Sequence, residues 1–210
     1  GFSIVKWTGN NTANATIGHG LNSAPELYII KKTSAASDWQ VNIASSVTGT
    51  EGYLNLNNGS AAIYTTFPNY YTSANSTVLS TNGTSTAERQ YNNQSADYIA
   101  YCFHSVAGYQ KIDSYTGGGS SGKTVTTGFR PSWVMIRRTD AGNYWVIIDS
   151  KRDTTDPYSK ILWANASDLE ADGGSSTNIS FSDTGFSMGT GVLGSSVNAS
   201  GGTYIYLAIA

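Results

Sequence analysis

The residues able to do chemistry are few. His19 and His104 are the only imidazoles and Cys102 the only thiol. No cysteine or carboxylate stands at ligand spacing from either histidine. No nucleophile elbow accompanies them, so a Ser–His–acid arrangement has no anchor and both are expected to be structural or surface residues. Glu51, Glu88, Asp149 and Asp153 are the carboxylates that could work as an acid/base pair on a glycoside, but nothing in their spacing pairs them. Gly117-Gly-Gly-Ser-Ser-Gly122-Lys123-Thr124 satisfies the phosphate-loop pattern on paper. That loop works only when a helix follows it, and here the β-branched run Thr124-Val-Thr-Thr127 and then Gly128 follow. Gly189-Thr-Gly191-Val-Leu-Gly194 likewise lacks the strand–helix setting of a dinucleotide site. Asp168-Leu-Glu170-Ala-Asp172-Gly173 opens like a calcium loop, yet Ile179 stands where the closing glutamate belongs. The expectation is a non-enzyme with no catalytic residue, no metal and no cofactor.

Binding is the better-supported chemistry. Tyr64, Phe67, Tyr70 and Tyr71 lie in one segment, Tyr64-Thr-Thr-Phe-Pro-Asn-Tyr-Tyr71, with Tyr158 to Trp163 as its counterpart further on. Aromatic faces of this kind stack on sugar rings and anchor interfaces. Asn-X-Ser/Thr triplets are dense, at Asn10, Asn14, Asn58, Asn75, Asn82, Asn93, Asn165, Asn178 and Asn198, and are candidate glycosylation sites in a glycosylating compartment. With 12 Lys and Arg against 14 Asp and Glu, the net charge is −2 and no basic patch forms, which argues against nucleic acid. No apolar run approaches the ~20 residues of a membrane-spanning helix. The lone Cys102 sits in an apolar strand as a small buried hydrophobe. The chain opens directly in a strand, as a mature or excised piece of something longer would.

The elements that would position these residues are short strands. Ser3–Trp7, Leu27–Lys32, Trp39–Ile43, Tyr53–Leu56, Tyr98–His104, Lys111–Thr116, Trp133–Arg138, Tyr144–Asp149, Lys160–Trp163, Asn178–Phe181, Gly185–Met188 and Tyr204–Ile209 read as strands, with Ala61–Phe67 and Ser76–Ser80 weaker. Asn10–Gly20 reads as a loop, and Ala166–Ala171 as the one candidate helical turn. The chain also repeats itself. Gly1-Phe-Ser-Ile-Val-Lys-Trp-Thr-Gly9 overlays Gly108 to Gly117, and Pro25-Glu-Leu-Tyr-Ile-Ile-Lys-Lys-Thr33 overlays Pro131-Ser-Trp-Val-Met-Ile-Arg-Arg-Thr139. Leu21 falls on Phe129, Trp39 on Trp145, Asn92 on Asn198, and Asp97–Tyr101 on Thr203–Leu207. The shift stays near about 106–108 residues, the size of a small domain. The expected fold is all-β, two tandem antiparallel β-sandwiches of jelly-roll or lectin-like kind, 1–106 and 107–210, related by internal duplication. Trp39 and Trp145, held in both copies, are expected in a shared core.

Three stretches carry a family resemblance: Tyr98-Ile-Ala-Tyr-Cys-Phe-His-Ser-Val-Ala-Gly-Tyr109, Asp113-Ser-Tyr-Thr-Gly117, and Thr127-Gly-Phe-Arg-Pro-Ser-Trp-Val-Met-Ile-Arg-Arg-Thr-Asp140. The closing Val197–Ala208 fits the same pattern. In these the chain resembles an uncharacterised domain family of tail-fibre and other virion structural proteins of tailed phages, especially those of aquatic bacteria. The resemblance implies a sandwich on an extracellular particle and transfers no catalytic residue. The stretches 57–91 and 151–180 depart from it, and receptor contacts are expected there. The expected function is a non-enzymatic, extracellular structural or adhesive module that associates with other copies of itself and binds surface glycans. The alternative is a subunit of an extracellular filament that polymerises through Gly1-Phe2 and Ala208-Ile209-Ala210.

Overall fold

The computed structural model describes residues 1–59, 62–65, 72–81, 91–172, 179–189 and 194–210. The chain divides into two compact units. Unit 1 comprises Gly1–Leu56 with Ile63–His104, and unit 2 comprises Asn57–Ala62 with Ser105–Ala210.

Unit 1 contains β1 (Phe2–Thr8), β2 (Thr16–Gly18), β3 (Leu27–Lys32), β4 (Gln40–Ile43), the single helical turn α1 (Ser45–Thr48), β5 (Gly52–Asn55), β6 (Thr72–Ala74), β7 (Val78–Thr81) and β8 (Asp97–Phe103). Its larger sheet runs β1-β8-β3-β4-β5 and its smaller one β2-β7-β6. Unit 2 contains β9 (Gln110–Thr116), a 3-10 turn at Gly119–Ser121, β10 (Lys123–Thr126), β11 (Trp133–Arg138), β12 (Trp145–Asp149), β13 (Lys160–Trp163), β14 (Ala171–Asp172), β15 (Ile179–Ser182), β16 (Gly185–Met188) and β17 (Thr203–Ile209). Its sheets run β9-β17-β11-β12-β13-β14 and β10-β16-β15. The described pairings are antiparallel throughout. The protein is an all-β, antiparallel, sandwich-like fold. Taken strand for strand, the order is the same in both units, with β14 added at the edge of the second.

Alternation along the strands explains the layering, because successive side chains point to opposite faces. On β8, Tyr98, Ala100 and Cys102 are buried while Asp97 is exposed. These inward residues meet Tyr28 and Ile30 of β3 and Leu79 of β7, closing a core between the two sheets of unit 1. In unit 2, Val134, Ile136, Val146, Ile148 and Tyr206 of the larger sheet meet Val125, Phe181, Phe186 and Met188 of the smaller. Each such burial contributes roughly 1.5–3 kcal/mol.

A corner built the same way closes each unit. The ring of Trp7 stacks on Tyr98 at 5.2 Å, and that of Tyr115 on Tyr204 at 5.0 Å. The strand then ends at a glycine, whose N–H donates to Ala96 O in unit 1 (Gly9, 2.8 Å) and to Gly202 O in unit 2 (Gly117, 2.8 Å). Only glycine fits: a Cβ would stand 2.1 Å from Asn93 O at Gly9 and 2.3 Å from Ala199 O at Gly117. A buried asparagine secures the following loop. Asn92 Oδ1 accepts Asn10 N (3.0 Å) and Asn198 Oδ1 accepts Gly118 N (2.8 Å). The tyrosine hydroxyl takes an amide from the next residue, Asn93 N for Tyr98 and Ala199 N for Tyr204.

Several expectations need correction. Asn10–Gly20 is not loop throughout, since β2 lies inside it and pairs with β7. Lys123–Thr126, read only as the tail of a glycine loop, is β10, so the phosphate-loop pattern runs into a strand and has no helix behind it. Ala166–Ala171 forms no helical turn; residues 166–170 have no regular structure and Ala171 begins β14. Of Ala61–Phe67, residues 61, 66 and 67 lie outside the described set, and Tyr64 makes an isolated bridge to Tyr53. Trp145 is buried at 1% exposure but on the sheet face of Arg137, opposite the face of Val146 and Ile148, and Trp39 is 36% exposed. The Trp39 ring lies along Tyr101 (6.3 Å), with Lys31 Nζ 5.7 Å from its centre.

Candidate functional site: a polar cavity in unit 1

The inner face of the larger sheet differs between the units at two adjacent strands. In unit 2, Ile136 pairs with Val146 and Val134 with Ile148, so that face is apolar. In unit 1, Ile30 pairs with Gln40 and Tyr28 with Asn42. Tyr53 of β5 stands opposite Asn42, and Asn55 opposite Gln40. Gln40 and Asn42 therefore occupy positions that Val146 and Ile148 fill in unit 2, and Asn55, opposite Gln40, stands where Trp163 stands opposite Val146.

These polar residues surround open space. A cavity of about 490 Å³ lies over β3, β4 and β5, lined among others by Lys32, Asp38, Gln40, Tyr53, Asn55 and Tyr91. Asn55 Nδ2 donates to Asp38 Oδ2 (3.0 Å) at its margin. Tyr91 is 7% exposed, and its hydroxyl is buried without a hydrogen-bond partner. Burial foremost, with Tyr53, Tyr28 and Asp38 adding, pushes the Tyr91 phenol well above its ordinary value, so it is a neutral donor. Asn42, 1% exposed, also has neither side-chain atom partnered. Buried polar atoms left this way cost about 1–3 kcal/mol each.

Of the expected aromatic site residues, Tyr64 is next to this cavity: its ring stacks on Tyr53 at 4.9 Å. Phe67, Tyr70 and Tyr71 lie outside the described residues. Tyr158 offers no open face. It is 5% exposed and packs on Phe181 at 4.7 Å inside the core of unit 2. Trp163 is partly buried against the same core and touches the Tyr144 ring at 5.0 Å.

A second, more open cleft of about 530 Å³ in unit 2 is lined by Asn58, Gly59, Asn143, Tyr144, Asn165 and Ser195, among others. Its amides are engaged: Asn165 Oδ1 accepts Trp145 N (2.7 Å), and Asn143 Oδ1 accepts Tyr144 N (2.9 Å) and Ser196 Oγ (2.9 Å). Among the candidate glycosylation sites, Asn10, Asn14, Asn58 and Asn75 are exposed, and Asn93 and Asn165 are half-buried. Asn198 is only 3% exposed and its amide is held in the corner of unit 2, which closes it to a glycan. Asn82 and Asn178 lie outside the described residues.

His19, Asp149 and Asp153 have structural work. His19 is fully buried, with Leu21 N donating to Nδ1 (3.1 Å) and Nε2 facing Asn75 O (2.9 Å). Asp149 accepts Arg152 Nε (2.5 Å), and Asp153 accepts Ser159 N (2.6 Å) and Lys160 N (3.0 Å). Glu51 is half-buried and Glu88 lies outside the described residues. Burial pushes the Cys102 thiol up to about 11. Among the described residues no three His, Cys, Asp or Glu side chains gather as a metal site would require.

Sequence reasoning missed Gln40, Asn42, Asn55 and Tyr91. The signal was present where the halves overlay, because the register that sets Trp39 on Trp145 also sets Gln40 on Val146 and Asn42 on Ile148. No curated protein and no solved structure matches the chain. One family model does, over residues 1–210, and by it the chain belongs to DUF7483, a domain family of unknown function.

Proposed function

We propose that the chain is a non-enzymatic structural or adhesive module of an extracellular particle, of the tail-fibre kind, built from two copies of one duplicated sandwich and associating with other copies of itself. The observation that carries this reading is that the first and last strands of each unit are neighbours. Phe2 pairs with Phe103 across β1 and β8, and Gln110 with Ile209 across β9 and β17. Each unit is thus entered and left at one place, which suits modules strung in series. The shared strand order and the matching corners support the duplication, and the resemblance to virion structural proteins supports the setting. Immunogold electron microscopy with antibodies to this chain, on particles purified from the source culture, tests it. Gold along particle appendages is expected, and label confined to the cell interior overturns it.

A second reading, an extracellular filament, is favoured by β1 itself. It is an outer strand of its sheet, with Phe2 49% and Ile4 53% exposed, and such an edge invites strand addition. The C-terminal half of the expected contact does not serve, because β17 lies between β11 and β9 and both its edges are paired. Ile4→Lys should abolish concentration-dependent assembly in light scattering if filaments form through β1. Unchanged assembly would remove that route.

A further inference from the structure

We propose that the cavity of unit 1 is a saccharide-binding site. In it, a neutral, hydroxyl-rich sugar ring hydrogen-bonds to Tyr91, Gln40 and the Asp38–Asn55 pair and lays a C–H face on Tyr53. The proposal deepens the adhesive part of the reading above.

The chemistry of the lining selects the ligand class. A phosphate or sulfate needs converging positive charge, and among the described residues Lys32 is the one cation of the lining, offset by Asp38. A cation needs several oxygen ligands; among the described residues Asp38 is the lining's single acid, and it already accepts Asn55 Nδ2. A wholly apolar guest would leave the Tyr91 hydroxyl without a partner. A sugar answers each demand: its hydroxyls donate and accept, and its C–H faces pack on aromatic rings. The volume, about 490 Å³, falls in the range of small-molecule sites.

The second, independent observation is the pair of orphaned buried groups. Tyr91 lines the cavity, and its buried hydroxyl lacks a partner. Asn42 lies on the same sheet face one step beyond Gln40 and opposite Tyr53, with its amide equally unpartnered. The equivalent face of unit 2 has aliphatic residues and no such orphans among the described residues. Both units keep the frame, and one has exchanged core packing for unsatisfied hydrogen-bonding capacity beside a hollow. Water could occupy a polar hollow of this size, and the experiment separates water from sugar.

The test uses the full chain and a panel of methyl glycosides of glucose, galactose, mannose and N-acetylglucosamine, with maltose and cellobiose. Saturation-transfer NMR detects binding and calorimetric titration measures it. At least one sugar is expected to bind. Tyr91→Phe should weaken that sugar about tenfold, the value of one hydrogen bond, and Gln40→Val should weaken it as well. Tyr144→Phe, in the other cleft, should leave it unchanged. Tyr91→Phe removes a hydroxyl with no partner, so its Tm should hold or rise, and loss of binding cannot be ascribed to unfolding. No saturation transfer from any of the sugars at tens of millimolar overturns the proposal and leaves a water-filled hollow. Binding that is equal in wild type, Tyr91→Phe and Gln40→Val also overturns it by placing the sugar elsewhere. Particles that lack immunogold label while sugar binding persists would defeat the setting and not the site.

Discussion

Unit 1 and unit 2 share a strand order and a corner, and differ in what fills the space beneath β4 and β5 on one side and β12 and β13 on the other. Beneath Val146, Ile148 and Ile161 the core of unit 2 is continuous. Beneath Gln40, Asn42 and Tyr53 that of unit 1 gives way to a polar hollow. The lesson concerns which positions a sandwich can give up. Those held in both units are the ones the backbone itself depends on: the glycine with no room for a Cβ, the asparagine that holds the loop, and the tyrosine whose hydroxyl takes an amide. Inner-face side chains two strands away from that corner are interchangeable in polarity, provided the remaining core stabilises the fold.

The sharpest way to break the comparison is to exchange the two fillings. Ile148→Asn puts an unpartnered amide into a dry core and removes a large aliphatic group, and should cost about 4 kcal/mol in chemical denaturation. The reverse exchange, Asn42→Ile, should be neutral or stabilising, because it removes an orphan already present. Equal losses in both would show that the polar face of unit 1 is packed as tightly as the apolar face of unit 2.

The corners should respond alike. Gly9→Ala and Gly117→Ala each drive a methyl into a backbone carbonyl and should each cost about 3 kcal/mol. Asn92→Ala and Asn198→Ala leave loop amides without their acceptor, and about 2 kcal/mol is expected for each. Differential scanning calorimetry resolves whether each loss falls on one transition, and unequal losses at paired positions would break the equivalence of the corners.

The smallest expected effect is on acid stability. Three carboxyls of unit 2 sit below the ordinary range. Asp140 is lowered chiefly by the Arg138 guanidinium. For Asp149 and Asp153 burial acts upward, but the Arg152 and Lys151 groups outweigh it at the first, and the amides of Ser159, Lys160 and Thr155 at the second. Folded values that are lowered give stability that is complete above the unfolded value near about 3.9 and is lost as pH falls through them. Hydrogen exchange of unit 2 amides should therefore accelerate as pH drops below about 4, after correction for intrinsic exchange. Asp153→Asn should blunt that acceleration, and an unchanged profile in the variant would remove Asp153 from the account.

Much of the framework was legible. β3, β13 and β16 stand at the bounds read from the residues, because strands that bury apolar side chains advertise themselves. The elements that escaped are short and marginal. Thr16-Ile-Gly18 and Ala171-Asp172 have too few residues for a period to show, and their pairing comes from the partner strand. Ala166–Ala171 contains good helix formers, yet a single turn has no cooperative helix to join. The cavity was hidden for another reason: Tyr91 and Gln40 are remote in sequence and meet only through the fold. Its trace was a contrast between the halves, visible only by looking for differences in an alignment made to find likeness.

The pairing of β1 with β8 has a mechanical consequence. Gly1 O accepts His104 N at the point where the chain enters and leaves unit 1 (2.9 Å), and the Phe2–Phe103 pair follows. Tension applied through those two ends falls on that first bond, then on the next, and peels the strands apart like a zipper. A unit loaded this way yields gradually at low force, and a string of such units is a compliant link that absorbs a tug without snapping.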